Sequence, residues 1–137
     1  MDDRLIFTPQ EKKESKAIYH QLREMIASSL QPEDEDKIKN HIIKSLEDGH
    51  VKRDVFGLNP ILLSLQTALI VADEIGLRRD AVLGILLYPS VINSYTPLDE
   101  VRNSYGEQVV HILHGLVRIN ELYRKNPIIE SENFRNL

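Results

Sequence analysis

The apolar positions recur at three- and four-residue spacing almost from end to end, which is the period of an α-helix. Thr8-Pro9-Gln10-Glu11 reads as a helix start: Thr8 can cap, Pro9 suits the first turn and Glu11 completes a capping box. The stripe Ile18, Leu22, Met25, Ile26 and Leu30 carries this first helix to about residue 30. Pro32-Glu33-Asp34-Glu35 opens a second helix with an acidic first turn that complements the macrodipole. Ile38, Ile42, Ile43 and Leu46 are expected to face inward, and Gly49 ends the helix. Residues 49–58 have no period and read as a loop. Asn59-Pro60 starts a third helix, Asn59 as cap, running to Ile75 with Gly76 as the stop. It is apolar on nearly every side, so it is expected to be the central, most buried helix.

Asp80 is expected to cap a fourth helix over 81–87, with Pro89 breaking or kinking it. Thr96-Pro97 starts a short fifth helix ending near Gly106. A sixth covers 107–124 and turns Val109, Ile112, Leu113, Leu116 and Ile119 inward. Asn126-Pro127 breaks the pattern, and Ser131 can cap a last helix. The chain stops at Leu137, barely one turn into it, so a piece of a longer protein is expected. No period-2 strand of any length and no internal repeat interrupts this series.

At 137 residues the chain fits one domain with a real core. Seventeen Lys and Arg against 21 Asp and Glu give a net charge of −4. That balance argues against direct nucleic-acid binding through a dominant basic footprint. The absence of cysteine excludes disulfides, thiolate metal sites and a cysteine nucleophile, and fits a reducing compartment such as the cytoplasm. The start, Met1-Asp2-Asp3-Arg4, is no signal peptide, and the longest nearly apolar stretch, residues 60–72, is too short to span a bilayer. No membrane partner is therefore expected.

Few residues announce chemistry. The six glycines are isolated, so no phosphate-cradling loop exists, and there is no nucleophile elbow or His-Glu-x-x-His. Asp73-Glu74 reads as a solvated helix end. His111 and His114 lie one turn apart and could share a metal, but Arg118 on their face opposes a cation. His20, His41 and His50 are scattered on polar faces or in the loop and read as ordinary surface. Lys52-Arg53 is a small basic pair that could meet a phosphate.

Residues 59–124 resemble the N-terminal HD-type hydrolase domain of the RelA/SpoT proteins. These are long enzymes that make and degrade the alarmone (p)ppGpp. The resembling stretches are Ile70-Val-Ala-Asp-Glu-Ile-Gly-Leu77, Asp80-Ala-Val-Leu-Gly-Ile-Leu-Leu-Tyr-Pro89, Leu98-Asp-Glu-Val101, Tyr105-Gly-Glu-Gln-Val-Val110 and Ile112-Leu-His-Gly-Leu-Val117. Glu132-Asn-Phe-Arg-Asn-Leu137 looks like the family's Glu-Asn-x-Arg-Lys-Met helix. Each motif is short, but they occur in the family's order over more than half the chain.

The resemblance implies an all-α, HD-domain-like helical bundle, truncated before the last helices, with residues 1–137 forming a single degenerate domain at the N-terminus of a multidomain protein. Family hydrolases hold Mn²⁺ with a first His, a His-Asp dyad and a distal Asp. Here the dyad position reads Tyr88-Pro89, and the first His falls at Leu63 or Ser64, depending on one gap. The Glu-Asp pair after the dyad, which serves the attacking water, reads Ile92-Asn93, and the distal Asp would lie beyond Leu137. A metal-bound water nucleophile needs several anionic or imidazole ligands and a base, and tyrosine and proline supply neither at neutral pH.

The aromatic-Pro pair is similar to the RelA-type branch, in which only synthesis survives. The expectation is thus a silent pseudo-hydrolase without catalytic residues, metal or cofactor. It would regulate a GTP pyrophosphokinase by packing against the synthetase domain of the same polypeptide. The alternatives are a module that senses a guanine nucleotide, with Lys52, Arg53, Arg78, Arg79 and Arg118 as available phosphate partners, and a hydrolase with an unusual metal site at His111 and His114.

Overall fold

The computed structural model describes residues 4–93 and 95–125. Among them it contains helices and turns and no strand, so the chain is an all-α bundle. The helices are α1 (Pro9–Ile26), α2 (Asp34–Glu47), α3 (Pro60–Ile70), α4 (Arg79–Ile92), α5 (Leu98–Tyr105) and α6 (Glu107–Lys125). The proposed helix at Ser131 lies outside the described residues.

The starts of α1 and α3 follow from their capping residues. Thr8 Oγ1 accepts from the Glu11 amide at 3.1 Å, and Glu11 Oε1 accepts from the Thr8 amide at 2.9 Å, closing a reciprocal capping box. Asn59 Oδ1 accepts from the Ile61 and Leu62 amides at 3.0 and 3.1 Å, with Pro60 at the first helical position. Each such cap stabilises its helix by about 1 kcal/mol. α1 ends sooner than its stripe suggests. It tightens into a 3₁₀ turn over Ala27–Ser29, where Ser29 Oγ donates to the Ile26 carbonyl at 2.8 Å.

α3 passes into a π-helical turn, Val71–Ile75, before Gly76 stops it with φ +84°. Gly76 N and Leu77 N both donate to the Val71 carbonyl, at 3.0 and 3.2 Å. The expected stop at Gly76 is therefore present, preceded by one wide turn.

The centre of the bundle is α4, not α3. α4 packs against α2, α3 and α6, and α1 lies against α3. Its residues Val82, Leu83, Leu86 and Leu87 are buried with Leu22 and Ile26 of α1, Leu65 and Ala68 of α3, and Val109 and Leu113 of α6. α3 carries apolar residues all round but covers only one side of them, leaving Leu63 and Ile70 half exposed. Hydrophobicity on every side does not by itself decide which helix is enclosed. The number of neighbours does.

Three further expectations are corrected. Asp80 does not cap α4: the helix begins at Arg79, and Asp80 sits in its first turn holding Arg79 Nη1 at 2.8 Å. Pro89 does not break α4, which continues to Ile92. It falls in the last turn, so the single i→i−4 bond it removes is the one to the Ile85 carbonyl. Ile43 and Ile119 are 52% and 53% exposed rather than inward, because α2 and α6 are covered along one narrow seam only.

α4 and α6 approach closely at Gly84. A Cβ on Gly84 would stand 2.9 Å from Ile112 Cγ2. Glycine lets the two helices meet there at a distance that no other residue permits without a shift.

Candidate functional site

The positions singled out by the family resemblance lie on α3 and α4, which pack directly together. Ser64 is buried on α3 and Leu63, its neighbour, is half exposed. On α4, Pro89 is buried and Tyr88 and Ile92 are partly buried, Tyr88 packing on the core. Burial pushes the Tyr88 phenol above its ordinary pKa, so it is a neutral hydroxyl at physiological pH. Asn93 ends the helix, and its Nδ2 donates to the Pro89 carbonyl at 2.6 Å.

These groups supply two hydroxyls, one amide already committed to the backbone and several hydrocarbon side chains. Manganese prefers carboxylate, imidazole and water ligands. Ser64, Tyr88, Pro89, Ile92 and Asn93 offer no imidazole and no carboxylate, so they do not fit such an ion. Among the described residues no three His, Asp or Glu side chains are grouped so as to hold a metal. His111 and His114 are both exposed on α6, and Asp73 and Glu74 are exposed in the π turn.

Arg53, Arg78 and Arg79 have structural tasks. Arg53, in the loop before α3, clamps the first turn of α1. Its guanidinium grips both carboxylate oxygens of Glu11 and donates to the carbonyls of Gly57 and Ile6, each at 2.9 Å. The Arg53 hydrogen bond, with the Thr8 amide, lowers the Glu11 pKa to about 2. A phosphate arriving at Arg53 would compete with Glu11. Lys52 beside it is exposed. Arg78 Nη1 donates to the Ala72 carbonyl at 2.7 Å, closing the end of the π turn. Arg118 is exposed on α6.

Arg79 takes part in an ion cluster that the sequence pattern did not disclose. Its Nε donates to Asp34 Oδ2 at 2.6 Å and its Nη2 to Asp34 Oδ1 at 3.1 Å. Asp34 is only 1% exposed, and it also accepts from the Gln31 amide at 2.7 Å. Burial alone would raise its pKa. The Arg79 and Gln31 hydrogen bonds prevail and hold it below the usual carboxylate range. The first turns of α2 and α4 are thereby joined. The acidic run at 33–35 signalled a helix start, but nothing local signals a partner 45 residues away.

A second cluster was also missed. His41, read as ordinary surface, is half buried on α2, and its Nε2 lies 3.0 Å from Thr96 Oγ1. His50 stacks on Tyr95 with ring centroids 4.3 Å apart, and the Tyr95 hydroxyl donates to Asp48 Oδ2 at 2.8 Å. The turn between α4 and α5 is fastened to α2 by these contacts.

The fold and the donor set thus define an all-helical bundle whose α3–α4 region is a packed hydrocarbon seam with few free polar groups. The chain is similar to a guanosine-3′,5′-bis(diphosphate) 3′-pyrophosphohydrolase of Aquifex aeolicus, at 26% identity over 80 residues. The match covers 58% of this chain and 10% of that hydrolase, so the chain spans a small part of the relative it matches. No protein-family model and no solved structure matches the chain. No helix among the described residues is long and apolar enough to cross a membrane.

Proposed function

We propose that the chain is a RelA/SpoT-type HD domain that has given up alarmone hydrolysis and serves a (p)ppGpp synthetase, a GTP pyrophosphokinase, as a regulatory module in the cytoplasm. The observation that carries this reading is the side-chain chemistry at Tyr88-Pro89, together with the likeness to a guanosine-3′,5′-bis(diphosphate) hydrolase. A metal-bound hydroxide needs ligands that fix the ion and a base that takes the proton. The matching positions carry a neutral phenol, a proline, an isoleucine and an amide bound to its own helix. The residues are suited to packing rather than to coordination.

A domain of this kind acts through its surfaces. Its partner would be the synthetase domain of the same polypeptide, biased by contacts that differ between two arrangements. The test is a manganese-dependent (p)ppGpp hydrolysis assay combined with elemental analysis of protein purified without chelator. No turnover and no stoichiometric metal are expected. Turnover that rises with manganese, or one tightly held ion per chain, overturns the reading. Sensing of a guanine nucleotide at Lys52 and Arg53 is the competing role, and Glu11 would have to release Arg53 for it.

A further inference from the structure

A cleft of about 280 Å³ lies between α2 and α5, away from the α3–α4 seam. One wall is a single face of α2: Lys37, His41 and Lys44 follow at i, i+4 and i+7, with Asn40 beside them. The opposite wall carries Thr96 and Glu100. Lys37 Nζ donates to the Ser104 carbonyl at 3.2 Å, which holds the two walls at this spacing. His41 Nε2 is committed to Thr96. The Lys44 amine, the Asn40 amide and the Glu100 carboxylate have no hydrogen-bond or ion-pair partner among the described residues.

We propose that this cleft binds the phosphate or diphosphate group of a small molecule. Two lysine cations face one carboxylate, so the cleft favours an anion. His41 adds a third positive charge when protonated. Burial holds it neutral and Glu100 acts the other way, so an incoming anion tips the balance toward the imidazolium. The volume lies just below that of drug-sized ligand sites, which run from about 300 to 1,000 Å³, and suits a phosphate or diphosphate group. Charged donors exceed charged acceptors: the Lys44 amine and the N–H groups that Lys37 does not give to Ser104 face the single Glu100 carboxylate. That is the composition that phosphate oxygens require. Glu100 lines the same cleft and would repel a bare anion. This proposal does not rest on the alarmone reading, and failure of the hydrolysis assay leaves it untouched.

The test is isothermal calorimetry of the whole chain with inorganic pyrophosphate at low ionic strength, on the wild type and three exposed-site variants. Lys44→Gln is expected to weaken binding about fivefold, and Glu100→Gln to tighten it by a similar factor, as expected for one charge near the site in solvent. Lys16→Gln, on α1, should leave it unchanged. A parallel titration with adenosine diphosphate separates the sources: binding tighter than that of pyrophosphate means a nucleotide-like ligand, and equal binding means the diphosphate alone. The His41 ring resonances, followed by NMR during the wild-type titration, should move as pyrophosphate is added, and this readout needs no variant. No heat with pyrophosphate, an unmoved His41 signal, or equal losses in Lys16→Gln and Lys44→Gln would overturn the proposal.

Discussion

Asp34 keeps a carboxylate almost wholly out of water, its oxygens shared between Arg79 and the Gln31 amide. Removing one member of a buried pair leaves the other charged and unpaired, which costs about 3–5 kcal/mol. Arg79→Met should therefore lose stability of that order in urea unfolding, and Asp34→Leu combined with Arg79→Met should recover much of it. The same reasoning explains why these residues were hard to read. Asp34 looked like one of several acidic helix-start residues, and Arg79 like one of two adjacent arginines available to a phosphate. Their pairing is a property of the packed fold. By contrast, Thr8, Glu11, Asn59 and Pro60 were legible because a cap acts on amides within four residues of itself. Tyr88-Pro89 differs again: that the pair holds no imidazole and no carboxylate is a matter of composition and needs no geometry.

Helices report their period in sequence, so all six starts were readable to within two residues. What was misread at α4 is its cap, expected at Asp80, and its end, which lies at Ile92 rather than 87 because Pro89 falls in the last turn. Which side of a helix is covered depends on neighbours, and this is where Ile43, Ile119 and the rank of α3 and α4 were misjudged. The α4–α6 contact gives an element-scale prediction. Gly84→Ala places a methyl 2.9 Å from Ile112 Cγ2, on a β-branched side chain with little freedom to turn. Overpacking of this kind costs about 1–3 kcal/mol, partly offset by about 1 kcal/mol of helix propensity. A lowered melting temperature is expected, and in an Ile112→Ala background the Gly84→Ala change should instead be neutral or stabilising. A thermal double-mutant cycle measures both.

At the scale of the whole molecule, the loop over 49–58 is held by Arg53 across the beginning of α1. Glu11 both caps α1 and anchors this strap, so its ionisation ties the N-terminal segment to the rest. Its folded pKa of about 2 lies below the ordinary 4.5. A depressed carboxylate contributes in full above its unfolded value and loses that contribution as pH falls through the folded one. Amide exchange at Thr8 and Glu11 should therefore accelerate between pH 4.5 and about 2, after correction for intrinsic rates. Glu11→Gln should show the fast exchange already at neutral pH.

The Asp34–Arg79 link has a consequence in time as well as in space. A ribosome delivers Asp34 long before the arginine that neutralises it, 45 residues later. Until then the start of α2 carries a carboxylate that is better hydrated than enclosed. The nascent chain can form helical turns, but it cannot seal α2 against a core whose central helix is still being made. The order of synthesis therefore sets a checkpoint. α2 closes on the core only once Arg79 and the rest of α4 have been made, whereas α1 and α3 can meet before then.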